Sequence, residues 1–142
     1  MSKIFNFIEK QPDRKLGELM DLDLTNINLK AGTYVFISKQ TKFIFPNGHS
    51  RVIYIGKSDD LISRLKTHKR HLLELSNLKH IERKDMSRYS RYQYMLKFGC
   101  IVYCYTTRGT QNSKNLENII MESFYNRYHA LPVGNGAVSF KK

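Results

Sequence analysis

The feature that most constrains the fold is the junction at residues 52–58, which read VIYIGKS. The β-branched and aromatic start of this stretch predicts a strand. Five aliphatic residues then recur at the spacing of a helix: Leu61, Ile62, Leu65, Leu72 and Leu73. Ser58 is expected to cap this helix, with Asp59 and Asp60 in its first turn. A glycine and a lysine at such a junction fit either a plain connection or a site that holds a phosphate.

Further strands and helices are predicted on both sides of this junction. The predicted strands are 32–38, 42–45, 51–55 and 100–107, and the turn Pro-Asn-Gly-His-Ser indicates a hairpin between the second and third. The other predicted helices are about 86–97 and 114–128. The last is expected to direct Leu116, Ile119, Ile120 and Phe124 toward the core. These elements predict an α/β (α+β) fold: a small mixed, mainly antiparallel sheet of three or slightly more strands, flanked by helices.

A chain of 142 residues is expected to form a single compact domain. Its first part, residues 1–31, carries five basic and five acidic residues and is expected to form a neutral arm. Residues 3–9 and 14–20 are expected to form one or two short helices or, alternatively, a docking arm. Residues 32–142 are expected to form the main body of the domain.

The cysteines and the hydropathy indicate the cellular compartment in which such a protein would be found. Cys100 and Cys104 lie in a predicted strand and match no metal or redox motif, so we expect buried thiols in a reducing, cytoplasmic setting. No apolar run approaches the roughly 20 residues needed to cross a bilayer. We therefore expect no membrane partner.

The charge indicates a polyanionic partner. The net charge is +12, and residues 57–97 hold eleven Lys and Arg against five Asp and Glu. A solvated charged face is the plain alternative, but such a concentration favours a nucleic-acid surface. The segment SRYSRYQY contributes Arg88 and Arg91, which are predicted to contact DNA phosphates; an ordinary packed helix is an equal alternative for this segment.

Several side chains that suit phosphate chemistry converge on the strand–helix junction. Arg64, His68 and His71 lie on one face of the predicted helix, because their spacings are four and three residues. Tyr54, Gly56 and Lys57 end the preceding strand, and Gly56 would let a ligand or another backbone approach closely. Each of these residues alone is more often structural, so the prediction depends on their convergence.

Carboxylates are scarce in the basic part of the chain. Residues 32–58 contain none, and residues 86–142 contain only Glu117 and Glu122. This argues against a two-metal site, which needs several carboxylates, and favours one glutamate that holds Mg²⁺. Glu122 is expected at the edge of the buried helix face, and Glu117 is expected to face solvent. Glu122 is therefore the predicted ligand.

Together these residues resemble the GIY-YIG nuclease superfamily over roughly residues 32–136. GTY at 32–34 and YIG at 54–56 are similar to the two name-giving triads, and Lys57, Arg64 and His68 follow at the helix spacing of the family. Glu117 and Glu122 resemble the paired glutamates of its later helix, and Asn135 resembles its asparagine. The first triad departs from the family by a threonine, and the 19 residues between Tyr34 and Tyr54 predict an extended hairpin at 39–51.

The resemblance implies roles for these residues. Tyr34 would be the general base or would position the attacking water, with Tyr54, Lys57 and His68 orienting it. Arg64 would stabilise charge on the phosphorane. Glu122 would hold Mg²⁺, for which Mn²⁺ can substitute, and Asn135 would support the site.

The resemblance also implies an activity and partners. The implied protein is a stand-alone DNA endonuclease of restriction, mobile-element or phage type, with double-stranded DNA as the favoured substrate and RNA as an alternative. Cutting both strands with one site per chain would need two successive nicks or a homodimer, and we expect the homodimer. The alternative function is a catalytically silent nucleic-acid-binding module with the same fold.

Overall fold

The computed structural model describes residues 3–77 and 90–135 and has a mixed α+β architecture. Its strands are β1 Arg14–Glu18, β2 Ala31–Ile37, β3 Phe43–Phe45, β4 Gly48–Ser50, β5 Val52–Ser58 and β6 Ile101–Thr107. Its α-helices are α1 Leu61–Asn77, α2 Ser90–Phe98 and α3 Thr110–Tyr128. Short 3₁₀ turns lie at Lys3–Phe5 and Leu19–Asp21. The predicted fold class is confirmed.

Four strands form one antiparallel sheet in the order β1-β6-β2-β5. The prediction of a helix at 14–20 was wrong, because residues 14–18 are the edge strand β1. Without β1, the free edge of β6 would leave backbone N–H and C=O groups unpaired, and pairing with β1 satisfies them. The register shifts between Lys15 and Gly17, and Gly17 has a φ of 111° that few other residues adopt. The N-terminal arm therefore packs against the sheet of the same chain.

The predicted hairpin forms a separate small sheet instead of joining the main one. Strands β3 and β4 pair only with each other among the described residues, across the Pro46-Asn47 turn. Phe45 anchors this hairpin in the core, whereas Ile44 points outward. Arg51, just before β5, donates from Nε to the carbonyl of Ser38 at 2.9 Å and closes the base of the loop.

The sheet lies between two helical layers because side chains alternate along its strands. In β2, Tyr34 and Phe36 belong to the cluster that packs against α1 and α2, and Val35 and Ile37 belong to the cluster that packs against α3. Cys100 and Cys104 are buried free thiols, as predicted, and burial raises the pKa of the Cys104 thiol to about 12. No helix in the described part of the chain is long and apolar enough to cross a membrane.

Two local predictions need correction. Helix α1 begins at Leu61, and its cap is Asp60, whose carboxylate accepts from the Ser63 N–H at 3.1 Å; Ser58 Oγ bonds the Asp60 N–H before the helix. In α3, Leu116, Ile120 and Phe124 are buried as predicted, but Ile119 is 55% exposed. The buried residues Ser113, Leu116, Ile120, Phe124 and Tyr128 lie along one face of α3, and Ile119 lies on the other side of Leu116 from that face.

Candidate active site

Tyr34 lies at the centre of the candidate site. It is on strand β2, which pairs with β6 on one side and with β5 on the other. It is fully buried, and its ring points toward α1. Gly56 is its direct neighbour on β5, and a Cβ atom at Gly56 would lie 2.5 Å from both Cζ and Oη of Tyr34. Any side chain at position 56 would clash with the Tyr34 ring, so this position in the YIG stretch must be glycine. The rings of Tyr34 and Tyr54 occupy the space that a side chain at position 56 would fill.

Helix α1 brings two side chains to the Tyr34 hydroxyl. His68 Nε2 lies 2.7 Å from Tyr34 Oη, and Arg64 donates from Nε to the same oxygen at 3.3 Å. Because Arg64 and His68 are four residues apart, one face of α1 presents both to the same point. The structure thus joins three of the residues that the sequence proposed.

Burial dominates the electrostatics of this group. It raises the pKa of the Tyr34 hydroxyl well above the usual value, with a further contribution from Tyr54 and an opposing one from Arg64. Burial also lowers the pKa of His68 to about 2, and the positive charges of Arg64 and Arg91 act in the same direction. Near neutral pH the site therefore holds a neutral phenol and a neutral imidazole beside a permanent cation.

Tyr54 forms the outer wall of the site. Its ring lies 6.0 Å from the Tyr34 ring, centroid to centroid, and is half-buried. The Arg91 guanidinium, from α2, lies over the Tyr54 ring at 4.2 Å from its centroid. This stacking holds one cation of α2 at the surface next to the site.

A further set of contacts runs through Tyr92, which the sequence analysis did not assign to the site. His68 Nδ1 lies 2.7 Å from the hydroxyl of Tyr92, a buried residue of α2. His71 Nδ1 lies 3.2 Å from the same hydroxyl, so His71 reaches the site through Tyr92. The tyrosine-rich pattern of α2 was visible in the sequence, but only the packing of α2 on α1 singles out Tyr92.

Lys57 is separated from Tyr34 by the sheet. It pairs with Thr33, whose hydroxyl donates to the Ser113 carbonyl of α3, so both residues lie on the α3 side. There the positive charge of Lys57 acts on the carboxyl of Glu117. The expected convergence of Lys57 with Tyr54, Arg64 and His68 is therefore not observed.

The expected burial of the two glutamates was the wrong way round. Glu117 is half-buried and Glu122 is exposed. Burial raises the pKa of Glu117, and the charges of Lys57 and Lys114 act against this increase. Glu117 lies three residues before Ile120 and seven before Phe124, on the buried stripe, a helical spacing that could have identified it from sequence.

Asn135 secures the outer edge of β5. The Ile55 N–H donates to Asn135 Oδ1 at 3.0 Å, and Asn135 Nδ2 donates to the Ile55 carbonyl at 2.9 Å. The Gly134 N–H also donates to the Ile53 carbonyl at 2.7 Å. Asn135 therefore holds the strand that carries Tyr54 and Gly56, which fits the supporting role predicted for it. The predicted DNA contact Arg88 lies outside the described residues.

Among the described residues, the predicted Mg²⁺ would have few protein ligands. In the described ranges no three His, Cys, Asp or Glu side chains come together. One glutamate with several waters is an arrangement that Mg²⁺ accepts, because this ion keeps much of its hydration shell. Glu117 is half-buried and lies within the electrostatic influence of Lys57 on β5, whereas Glu122 is exposed, so Glu117 fits this arrangement better.

Comparison with known proteins finds no matching family model, no matching curated sequence and no matching solved structure. The resemblance to GIY-YIG nucleases therefore depends on the residues and their spacing within this chain.

Proposed function

We propose that the protein is a Mg²⁺-dependent endonuclease that hydrolyses phosphodiester bonds in DNA. The observation that carries the proposal is the position of the Tyr34 hydroxyl, 2.7 Å from a neutral histidine nitrogen and 3.3 Å from an arginine nitrogen. A positioned hydroxyl beside a permanent cation suits proton transfer to a water nucleophile together with stabilisation of a developing phosphorane.

Each residue of the site has its own role in the proposed phosphodiester hydrolysis. Tyr34 takes a proton from the attacking water, and His68 and Tyr54 orient it. Arg64, which is partly buried, offsets the negative charge that grows on the phosphoryl oxygens. Glu117 would hold Mg²⁺, or Mn²⁺ in its place, and the ion would supply positive charge to a phosphate oxygen.

The partner is inferred from charge. A net charge of +12 and the Arg91 guanidinium beside Tyr54 favour a polyanion as the ligand. We infer double-stranded DNA, with RNA as the alternative substrate, and a restriction-type, mobile-element or phage-associated role in the cytoplasm. One site per chain cuts one strand at a time, so we infer that two chains pair to cut both strands.

A plasmid assay tests the proposal. Supercoiled plasmid is incubated with the protein in Mg²⁺ or in EDTA, in parallel with Tyr34→Phe, Glu117→Gln and Glu122→Gln. We expect Mg²⁺-dependent cutting that Tyr34→Phe reduces about 10²- to 10⁴-fold, the usual effect of losing a general acid or base. Glu117→Gln should abolish cutting.

The two glutamate variants form a matched pair on one helix. Glu122→Gln should cut nearly as well as the wild type, because its side chain is exposed and turned away from the sheet. Cutting that is lost in Glu122→Gln but kept in Glu117→Gln would instead identify Glu122 as the ligand. A wild-type protein that binds DNA without cutting it would favour the silent binding module.

A further inference from the structure

The site contains a chain of hydrogen-bonded side chains that extends beyond the residues needed for catalysis. It runs from Tyr34 Oη to His68 Nε2 at 2.7 Å, from His68 Nδ1 to Tyr92 Oη at 2.7 Å, and from Tyr92 Oη to His71 Nδ1 at 3.2 Å. Tyr34, His68 and Tyr92 are all at most 3% exposed, and His71 is half-buried. The chain thus links the buried hydroxyl to a titratable group closer to the surface.

A neutral phenol can accept a proton from water only if it gives up its own. Tyr34 Oη accepts a hydrogen bond from Arg64 and can donate its own O–H to His68 Nε2. A neutral histidine that accepts at Nε2 carries its proton on Nδ1, so it donates to Tyr92. Tyr92 can then donate its own O–H to His71 Nδ1. With the His68 proton on Nδ1, all the donors along this path point the same way.

We propose that Tyr92 relays a proton from His68 to His71, and that this relay lets Tyr34 act as the base. The inference rests on the proposed function. Water gives one proton to Tyr34 Oη while the Tyr34 proton passes to His68 Nε2, the His68 Nδ1 proton to Tyr92, and the Tyr92 proton to His71 Nδ1. The hydroxide oxygen bonds to phosphorus, the bond from phosphorus to the leaving 3′ oxygen breaks, and that oxygen takes a proton from solvent. His71 holds the extra proton and returns it to solvent.

Burial explains why the relay needs Tyr92. The pKa of His68 is about 2, so His68 cannot keep a second proton and must release one as it receives one. Each tyrosine and His68 ends the step with the number of protons it began with. His68 ends as the other tautomer and resets between turnovers.

The first test is kinetic and uses Tyr92→Phe, which keeps the ring and removes the hydroxyl. We expect kcat to fall about 10²-fold, in the usual range for a proton-transfer group, with KM for DNA within about twofold. Tyr94→Phe is the matched control on α2, since its ring packs against Phe43 outside the chain, and it should keep wild-type kcat. Equal melting temperatures of the two variants exclude a fold defect.

Rescue by free imidazole separates a relay from a structural role. His71→Ala should lose activity, and added imidazole should restore it in proportion to its concentration, because the vacated position is half-exposed. The wild type and Tyr34→Phe should not respond. A rate that imidazole leaves unchanged in His71→Ala would contradict the relay.

The His68 tautomer gives a readout besides activity. NMR of the His68 ring nitrogens in the full-length protein should find the Nδ1–H tautomer. Finding the Nε2–H tautomer would overturn the relay even in an active enzyme. A wild type that cuts DNA while Tyr92→Phe cuts equally well overturns the relay and leaves the nuclease proposal intact. A wild type that cuts no DNA overturns both.

Discussion

His68 is a buried neutral histidine, and this makes the stability of the fold depend on pH. Burial lowers its pKa from 6.5 to about 2, so below pH 6.5 the unfolded chain binds a proton that the folded chain does not. The stability that comes from keeping the buried His68 neutral is fully present above pH 6.5 and is lost as the pH falls below 6.5. We expect the free energy of unfolding to drop by about 2 kcal/mol between pH 7.5 and 5, at about 1.4 kcal/mol per unit once below pH 6.

The measurement is urea denaturation of the wild type and His68→Gln across this pH range. The variant should be less stable at pH 7.5 but should lack most of the dependence on pH. His49→Gln, a change at an exposed histidine, should retain the wild-type slope. Parallel slopes in the wild type and His68→Gln would mean that folding does not change the pKa of His68.

At the residue scale, short-range periodicity predicted the contacts made by one helix. The interval of four residues between Arg64 and His68 is enough to place both on one face of α1, and the strand pattern places Tyr34 inside. Tyr92 was not predicted, because its contact with His68 depends on how α2 packs against α1. Glu117 was misjudged for a different reason: Ile119 was assigned to the core, which rotated the expected buried face of α3.

At the element scale, β5 carries much of the site and lies at the edge of the sheet. Two hydrogen bonds between the Asn135 amide group and the Ile55 backbone, one in each direction, take the place of a further strand. Asn135→Ala should therefore expose an unpaired N–H and C=O and destabilise the fold by about 1–3 kcal/mol. Amide hydrogen exchange should speed up at Ile55 first, since opening of the edge exposes that N–H.

Asn126→Ala is the control for this prediction, because Asn126 is an exposed residue of α3. It should leave exchange at Ile55 unchanged. Exchange at Ile55 that is the same in Asn135→Ala as in the wild type would show that the β5 edge does not depend on this side chain.

Elements with a clear local sequence pattern were predicted well. Strand β1 was not predicted, because its conformation depends on pairing with β6. Strand β6 and helix α3 have long apolar patterns, and both lie within a few residues of their predicted bounds. The sequence of β1, RKLGE, has neither a clear alternation nor a β-branched residue. It is a strand because β6 offers an unpaired edge, and no local pattern contains that information.

At the scale of the whole molecule, the sheet divides the candidate site into two halves. Tyr34, Arg64 and His68 lie on the α1 side, and Lys57 with Glu117 lies on the α3 side. A single phosphodiester can be reached by both halves only around the β5 edge of the sheet, since β1 forms the other edge. The proposed function therefore places the DNA along the β5 edge.

The dependence of DNA binding on salt tests this placement. Each lost phosphate contact reduces the slope of log K against log salt concentration by about one. Arg91→Gln, on the α2 side of the edge, and Lys57→Gln, on the α3 side, should each lower the slope by about that amount. Arg14→Gln, on β1 at the opposite edge, should leave it unchanged, although it removes the same charge. Equal reductions in all three variants would mean that the DNA responds to net charge and has no fixed path along β5.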